Sequence, residues 1–101
     1  MSNIMCYQLM NGQDIIGEVS EGLKPNEMIM RNPAAIHLVP SQNGNNQFGI
    51  ALMPYAPYAD FNKIIIKMDK VSVEFEPTTE LRNNYSKMFG SGIEIANVMP
   101  R

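Results

Sequence analysis

Apolar and polar positions alternate along much of the chain, which predicts a protein built mainly from short antiparallel strands. Asn11-Gly12 lies between the first two of these apolar runs and predicts a tight β-hairpin, because Gly adopts the positive φ that such turns need. The predicted strands cover Met5–Met10, Gln13–Ser20, Glu27–Arg31, Ala34–Val39, Phe48–Leu52, Lys63–Met68 and Val71–Glu76.

Gly17 is the unusual position of the second strand, since it lies between Ile15 and Val19 on the same face. Gly weakens a strand interior, but on the core face of a small barrel it lets the strand bend where a side chain would collide. The pattern therefore predicts a sharply bent second strand. The alternative is an irregular strand in which Gly17 has no special meaning.

Proline marks two interruptions among the strands. Pro33 cannot donate to a ladder, so it predicts an edge or a bulge. The segment 54–62 contains two prolines and three aromatic residues, and we expect an insertion that forms an ordered loop and packs its aromatic rings. A polar loop is predicted at Pro40–Gln47.

In the last predicted strand, Glu74 and Glu76 are expected to share the solvent face.

One helix is predicted, over Thr78–Phe89, with Thr78 as its N-cap and Gly90 at its exit. The apolar face of the helix is predicted to carry Leu81, Tyr85, Met88 and Phe89. After the helix, Ile93 and Ile95 are expected either to add an edge strand or to pack on a neighbour.

The chain of 101 residues is predicted to form one domain, with a β-rich part at 1–77 and a C-terminal helix and tail at 78–101. Charged residues make up only 18%, which suggests that a partner covers part of the surface. Eight Lys and Arg against ten Asp and Glu give a net charge of −2. Any nucleic-acid site must therefore be a local basic patch.

Chemical motifs are sparse. Cys6 is the only cysteine and is expected to be a buried apolar residue, and the single histidine, His37, has no metal-binding cluster around it. No nucleophile–base pair or phosphate-binding loop appears, so we expect neither an enzyme nor a cofactor. The absence of a signal peptide and of a long apolar run predicts a cytoplasmic protein without membrane contact.

Two groups of residues resemble the motifs of the Sm/LSm family, which includes the bacterial RNA chaperone Hfq. The first group matches the spacing and residue types of the family's first motif at Leu9, Gly12, Ile15, Gly17 and Val19. The second group, Ile66–Val71, is similar to the family's second motif, with Lys67 where the Hfq version also carries Lys.

The resemblance implies a small five-stranded, strongly bent antiparallel Sm-like barrel, here with a C-terminal helix. It further implies a cyclic homo-oligomer of five to seven subunits that binds RNA or single-stranded DNA, and a phage origin in the cytoplasm of an infected bacterium. Three positions depart from the family pattern: Leu23 replaces Asp, Glu27 replaces the base-binding Asn, and Met68 replaces Gly or His.

A basic run on and just after the sixth predicted strand carries the candidate site, and Lys63 and Lys67 share one of its faces. A solvated strand face is the simpler interpretation of this run. A structural or protein-interaction ring without nucleic-acid binding is the alternative function, and Leu23 and Glu27 favour it. The candidate nucleic-acid-binding residues are Lys67, Lys63, Lys70, Met68, Asn26 and Glu27.

Overall fold

The computed structural model describes residues 3–40 and 48–89. The loop predicted at Pro40–Gln47 lies almost wholly outside these residues, as do Gly90, Ile93 and Ile95. The described elements are β1 Asn3–Leu9, β2 Asp14–Glu21, β3 Glu27–Pro40, β4 Phe48–Pro54, β5 Lys63–Lys67, β6 Val71–Phe75 and helix α1 Thr79–Phe89.

The strands form one antiparallel sheet in the order β4-β3-β2-β1-β6, with β5 also paired to β3. Both β4 and β5 pair with β3 on the edge opposite β2: β4 along Ala34–Pro40 and β5 along Glu27–Arg31. The insertion between them crosses the point where β3 bulges, at Asn32-Pro33. The bulge that Pro33 predicted is thus confirmed.

Within the described residues the sheet is not closed into a barrel, because β5 pairs there only with β3 and β6 only with β1. A short 3-10 helix, Met68–Lys70, joins β5 to β6. The prediction of a mostly-β, antiparallel fold with a C-terminal helix is confirmed. The predicted five-stranded, strongly bent barrel is not confirmed: the insertion divides the partner of β3 into two strands, which gives six, and the sheet that they form is not closed.

The first hairpin follows the predicted turn chemistry. Gly12 has a φ of 90°, and the Asn11 side-chain oxygen accepts a hydrogen bond from the Gln13 N–H at 2.9 Å. The Gly12 N–H donates to the Leu9 carbonyl at 2.8 Å. Asn11 therefore stabilises the turn through its side-chain hydrogen bond, and Gly12 supplies the positive φ that the turn requires.

One face of the sheet, which we call the Tyr7 face, buries Tyr7, Ile15, Val19, Met30 and Ile66. Helix α1 does not contribute to this cluster, so the sheet, with Tyr55 and Met68 at its margin, must bend around its own side chains to exclude water. Gly17 lies on this face, and a Cβ atom there would come within 2.3 Å of the Met30 Cγ atom. The close approach explains why the strand requires Gly at this position.

Helix α1 covers the opposite face, which we call the Cys6 face, where Leu81 and Tyr85 pack against Cys6, Ile16 and Ala34. The predicted N-cap is confirmed, because Thr78 Oγ1 accepts a hydrogen bond from the Leu81 N–H at 3.1 Å.

Tyr85 attaches the helix to the β-bulge. Its hydroxyl donates to the Asn32 carbonyl at 2.8 Å and lies 3.1 Å from the Arg31 carbonyl. Asn32 has a φ of 51°, an uncommon conformation for a non-Gly residue. Burial raises the pKa of the Tyr85 hydroxyl well above its ordinary value, so this donor keeps its proton across the physiological pH range.

Cys6 is fully buried, as predicted, and burial raises the pKa of its thiol to about 11, with the charge of Asp14 adding to the shift. Between the ordinary pKa of 9.0 and about 11, the unfolded chain therefore holds fewer protons than the folded one. The free energy of unfolding is expected to fall as the pH rises through this window. Below it, Cys6 causes no pH dependence.

Urea unfolding of the parent and of Cys6→Ala at about pH 8 and about pH 11 checks this. Burial also raises the pKa of Tyr7, to about 12, so both proteins will lose some stability at high pH. The parent should lose more than Cys6→Ala. Equal losses would contradict the assignment to the thiol.

No helix within residues 3–40 and 48–89 has the length and apolar character needed to cross a lipid bilayer.

Candidate nucleic-acid interface

Strand β5 presents a basic edge to solvent. Its side chains alternate, so that Ile66 is buried on the Tyr7 face, while Lys63, Ile65 and Lys67 are exposed on the Cys6 face. The prediction that Lys63 and Lys67 share one face is therefore confirmed. Between them, Ile65 keeps 57% of its surface exposed, which is unusual for Ile in a strand.

At one end of this edge, Lys67 is paired with an acid. The register of β3 and β5 places Glu27 directly opposite Lys67, and the Lys67 ammonium forms an ion pair with the Glu27 carboxylate. The Glu27 side chain is only 9% exposed and the Lys67 side chain 56%. Glu27 thus compensates much of the positive charge that the sequence assigned to this position.

A backbone hydrogen bond brings Asn26 and Met68, two further residues of the predicted site, beside the Lys67–Glu27 ion pair. The Met68 N–H donates to the Asn26 carbonyl at 2.9 Å, which ties the 3-10 helix after β5 to the residue before β3. The Lys70 carbonyl accepts from the Met10 N–H at 2.9 Å, so Lys70 lies towards β1. The structure therefore clusters Asn26, Glu27, Lys67 and Met68, with Lys63 at the other end of β5.

Lys63 has a basic neighbour that the sequence pattern does not reveal. Arg31 of β3 lies directly opposite Lys63, and both side chains are exposed. Within residues 3–40 and 48–89, the only carboxylate–cation pair within 4.0 Å is Lys67–Glu27, so neither Arg31 nor Lys63 is neutralised by an ion pair. Like charges directly opposite each other are destabilising, and an anion bound between them would remove that cost.

The Arg31–Lys63 pair has no signal in the local sequence, since the two residues are 32 positions apart and the register alone brings them together. Glu18 lies opposite Arg31 on the β2 side, where it is half-buried.

A groove of about 270 Å³ opens beside β5 on the Tyr7 side of the sheet. Its walls are mainly apolar and include Ile15, Ile64 and the half-buried ring of Tyr55, with Lys67 and Lys70 among the lining residues. Of the three aromatic residues in the 54–62 insertion, Tyr55 alone packs against the core. The expectation that the loop buries its rings is wrong for Tyr58 and Phe61, which stay exposed.

Strand β6 also differs from its predicted pattern. The register with β1 shifts between Gln8 and Leu9, so Val71 faces the Tyr7 cluster whereas Val73 and Phe75 face the Cys6 side. Val73 is 46% exposed and Phe75 is 40% exposed, although alternation predicted an apolar core face for both. Strands β5 and β6 therefore both carry exposed apolar side chains on the Cys6 face.

Neither the models of known protein families nor the curated proteins contain a match to this chain.

Proposed function

We propose that this chain is an Sm-like protein that forms a cyclic homo-oligomer and binds single-stranded nucleic acid, either RNA or DNA. The observation that carries the proposal is the Arg31–Lys63 pair, which within residues 3–40 and 48–89 has no ion-pair partner and lies at an outer strand edge without a neighbouring strand. Two adjacent positive charges form a phosphate-binding position, and a ring repeats that position in every subunit.

Two features of the sheet support the assembly. Among the strands that the structure describes, β5 and β6 each have one unpaired edge, and such edges readily accept a strand from another chain. Pairing β5 of one copy with β6 of the next would place Ile65 beside Val73 and Phe75, because all three lie on the Cys6 face. The resemblance to the Sm family supplies the expected number of five to seven subunits.

The proposed nucleic-acid surface follows β5 and continues into the 3-10 helix. Arg31 and Lys63 form its strongest part, and Lys70 extends it. Lys67, Met68, Asn26 and Glu27 complete the surface, but the Lys67–Glu27 ion pair lowers its net charge. We therefore expect weak affinity with little base preference.

Lys63→Ala is expected to weaken binding to single strands and to flatten the dependence of affinity on salt. Removing one phosphate interaction should reduce the slope of log K against log salt by about 0.7, because fewer counterions are released. Fluorescence anisotropy with RNA and DNA strands at two salt concentrations measures both quantities. Lys67→Ala is expected to act in the same direction, since it also leaves the Glu27 carboxylate without its partner.

Lys87→Ala is the matched control, because Lys87 is exposed on α1 and should change neither affinity nor slope. Identical slopes for the parent, Lys63→Ala and Lys87→Ala would exclude the β5 surface as the binding site.

A structural or protein-interaction ring is the second candidate function. The Lys67–Glu27 ion pair and the net charge of −2 favour it, because both reduce attraction to phosphate. An intact ring with no measurable binding to single strands at low salt would establish this alternative over the first.

A further inference from the structure

The insertion after β4 carries two aromatic rings that the fold leaves in solvent. Tyr58 is 89% exposed and Phe61 is 88% exposed. The Ala59 N–H donates to the Ala56 carbonyl at 3.0 Å, and the Asn62 N–H donates to the Ala59 carbonyl at 3.2 Å. The two rings therefore occupy the third position of two consecutive four-residue turns.

The backbone of this insertion is strained. Ala56, Phe61 and Asn62 have φ values of 55°, 58° and 49°, in a region that residues other than Gly adopt at a cost. Phe61 does not stabilise the fold through burial, because its ring is exposed, and its positive φ is less favourable for Phe than for Gly. Strain of this kind at an exposed bulky residue is typical of positions kept for binding.

The insertion is held against the sheet at a fixed place. The Tyr55 N–H donates to the Pro33 carbonyl at 2.8 Å, and the ring of Tyr55 packs on the core. The turn at Asp60–Asn62 contacts β3. Pro57 fixes the φ of its own position in the first turn. The rings thus stand on a constrained support, which limits the entropy lost when they bind a ligand.

Positive charge adjoins the rings. Lys63 follows Asn62 directly, and its cross-strand neighbour is Arg31, with no ion pair to either among the described residues. Asp60 is the single acid of the insertion, and Glu18 is half-buried on the far side of Arg31. Exposed aromatic faces beside unneutralised cations fit a single strand, whose bases stack while its phosphates bind Lys and Arg.

We propose that Tyr58 and Phe61 form a stacking platform for the nucleobases of a single strand whose phosphates lie on Arg31 and Lys63. This inference rests on the proposed nucleic-acid binding and adds the part of the ligand that the rings recognise. Stacking accepts every base, which agrees with the weak base preference expected above.

The test compares the full chain with Tyr58→Ala/Phe61→Ala on two probes, an oligothymidylate and an abasic strand of the same length. The parent should bind the oligothymidylate more tightly. The double variant should lose roughly 5- to 150-fold in affinity for the oligothymidylate for each stacked base, with the salt slope unchanged because no charge is removed. Its affinity for the abasic strand should equal that of the parent.

Lys63→Ala is the complementary variant, since it should flatten the salt slope and leave the ratio between the two probes unchanged. Leu23→Ala is the control for loss of an exposed apolar side chain, because Leu23 is 98% exposed in the turn after β2. Light scattering on every variant monitors the assembly.

Three other results would each reject either the stacking platform or the proposed nucleic-acid binding. Equal affinity of the parent for both probes, or unchanged affinity in the double variant, overturns the platform and leaves nucleic-acid binding standing. A double variant that keeps its affinity but loses assembly mass shows that the rings contact a second copy. No binding of either probe by the parent overturns the proposed function together with the platform.

Discussion

Gly17→Val is expected to lower the free energy of unfolding by about 1–3 kcal/mol, since it forces extra atoms into a packed core. A Cβ at position 17 would come within 2.3 Å of the Met30 Cγ atom, 2.6 Å of its Sδ atom and 3.0 Å of the Arg31 carbonyl oxygen. Met30 is fully buried, so its side chain has little room to move away. Urea unfolding monitored by circular dichroism measures the loss.

Gly49→Ala is the matched control in another strand. A Cβ there would meet only the Val39 Cγ2 atom, at an ordinary 3.7 Å, so stability should change little. Met30→Ala provides a further test, because its cost combined with Gly17→Val should be less than the sum of the two separate costs. Parental stability in Gly17→Val would show that the contact with Met30 does not constrain the second strand.

A charge at either sheet edge is expected to break the proposed ring into single chains. Ile65→Lys puts an ammonium where β5 would meet the next subunit, and Val73→Asp puts a carboxylate on the facing edge. Burying an unpaired charge in the apolar contact between Ile65 and the facing Val73 and Phe75 is costly. Light scattering after size-exclusion chromatography gives the mass of each species.

The double variant Ile65→Lys/Val73→Asp should recover part of the assembly, since the two new charges attract each other if the edges meet. Leu23→Lys is the control, because Leu23 is 98% exposed in the turn between β2 and β3 and belongs to neither β5 nor β6, so the mass should stay at the parental value. A parent that is a single chain at micromolar concentration would reject the ring, and parental mass in both single variants would reject this interface.

Local chemistry explains why much of the fold could be predicted. Asn11-Gly12 specifies its turn through an Asx hydrogen bond and a positive φ, both of which depend on neighbouring residues alone. Thr78 caps α1 through a hydrogen bond to a residue three positions later. Alternation also placed Lys63 and Lys67 on one face, because side chains in a regular strand repeat every two residues.

The candidate site could be predicted only in part, because its electrostatics depend on register. The motif position of Lys67 predicts its place in the site, but its charge is compensated by Glu27, 40 residues earlier in the chain. Arg31 carried no signal of its own and gains its importance from lying opposite Lys63. No pattern within one strand reports which charge its partner strand will present.

The sequence by itself determined which segments are extended, the first turn, the Gly in the second strand and the capped helix, since each follows from backbone preferences or periodicity over a few residues; it divided β3 into two strands at Pro33, whereas the structure has one strand from Glu27 to Pro40. The tertiary structure alone decided that the sheet stays open, that Val73 and Phe75 face solvent, and that Arg31 meets Lys63. The physical reason is that bulges shift the register of paired strands. β3 has an extra residue at Asn32-Pro33, and the pairing of β1 with β6 shifts between Gln8 and Leu9. Each shift changes which side chains share a face.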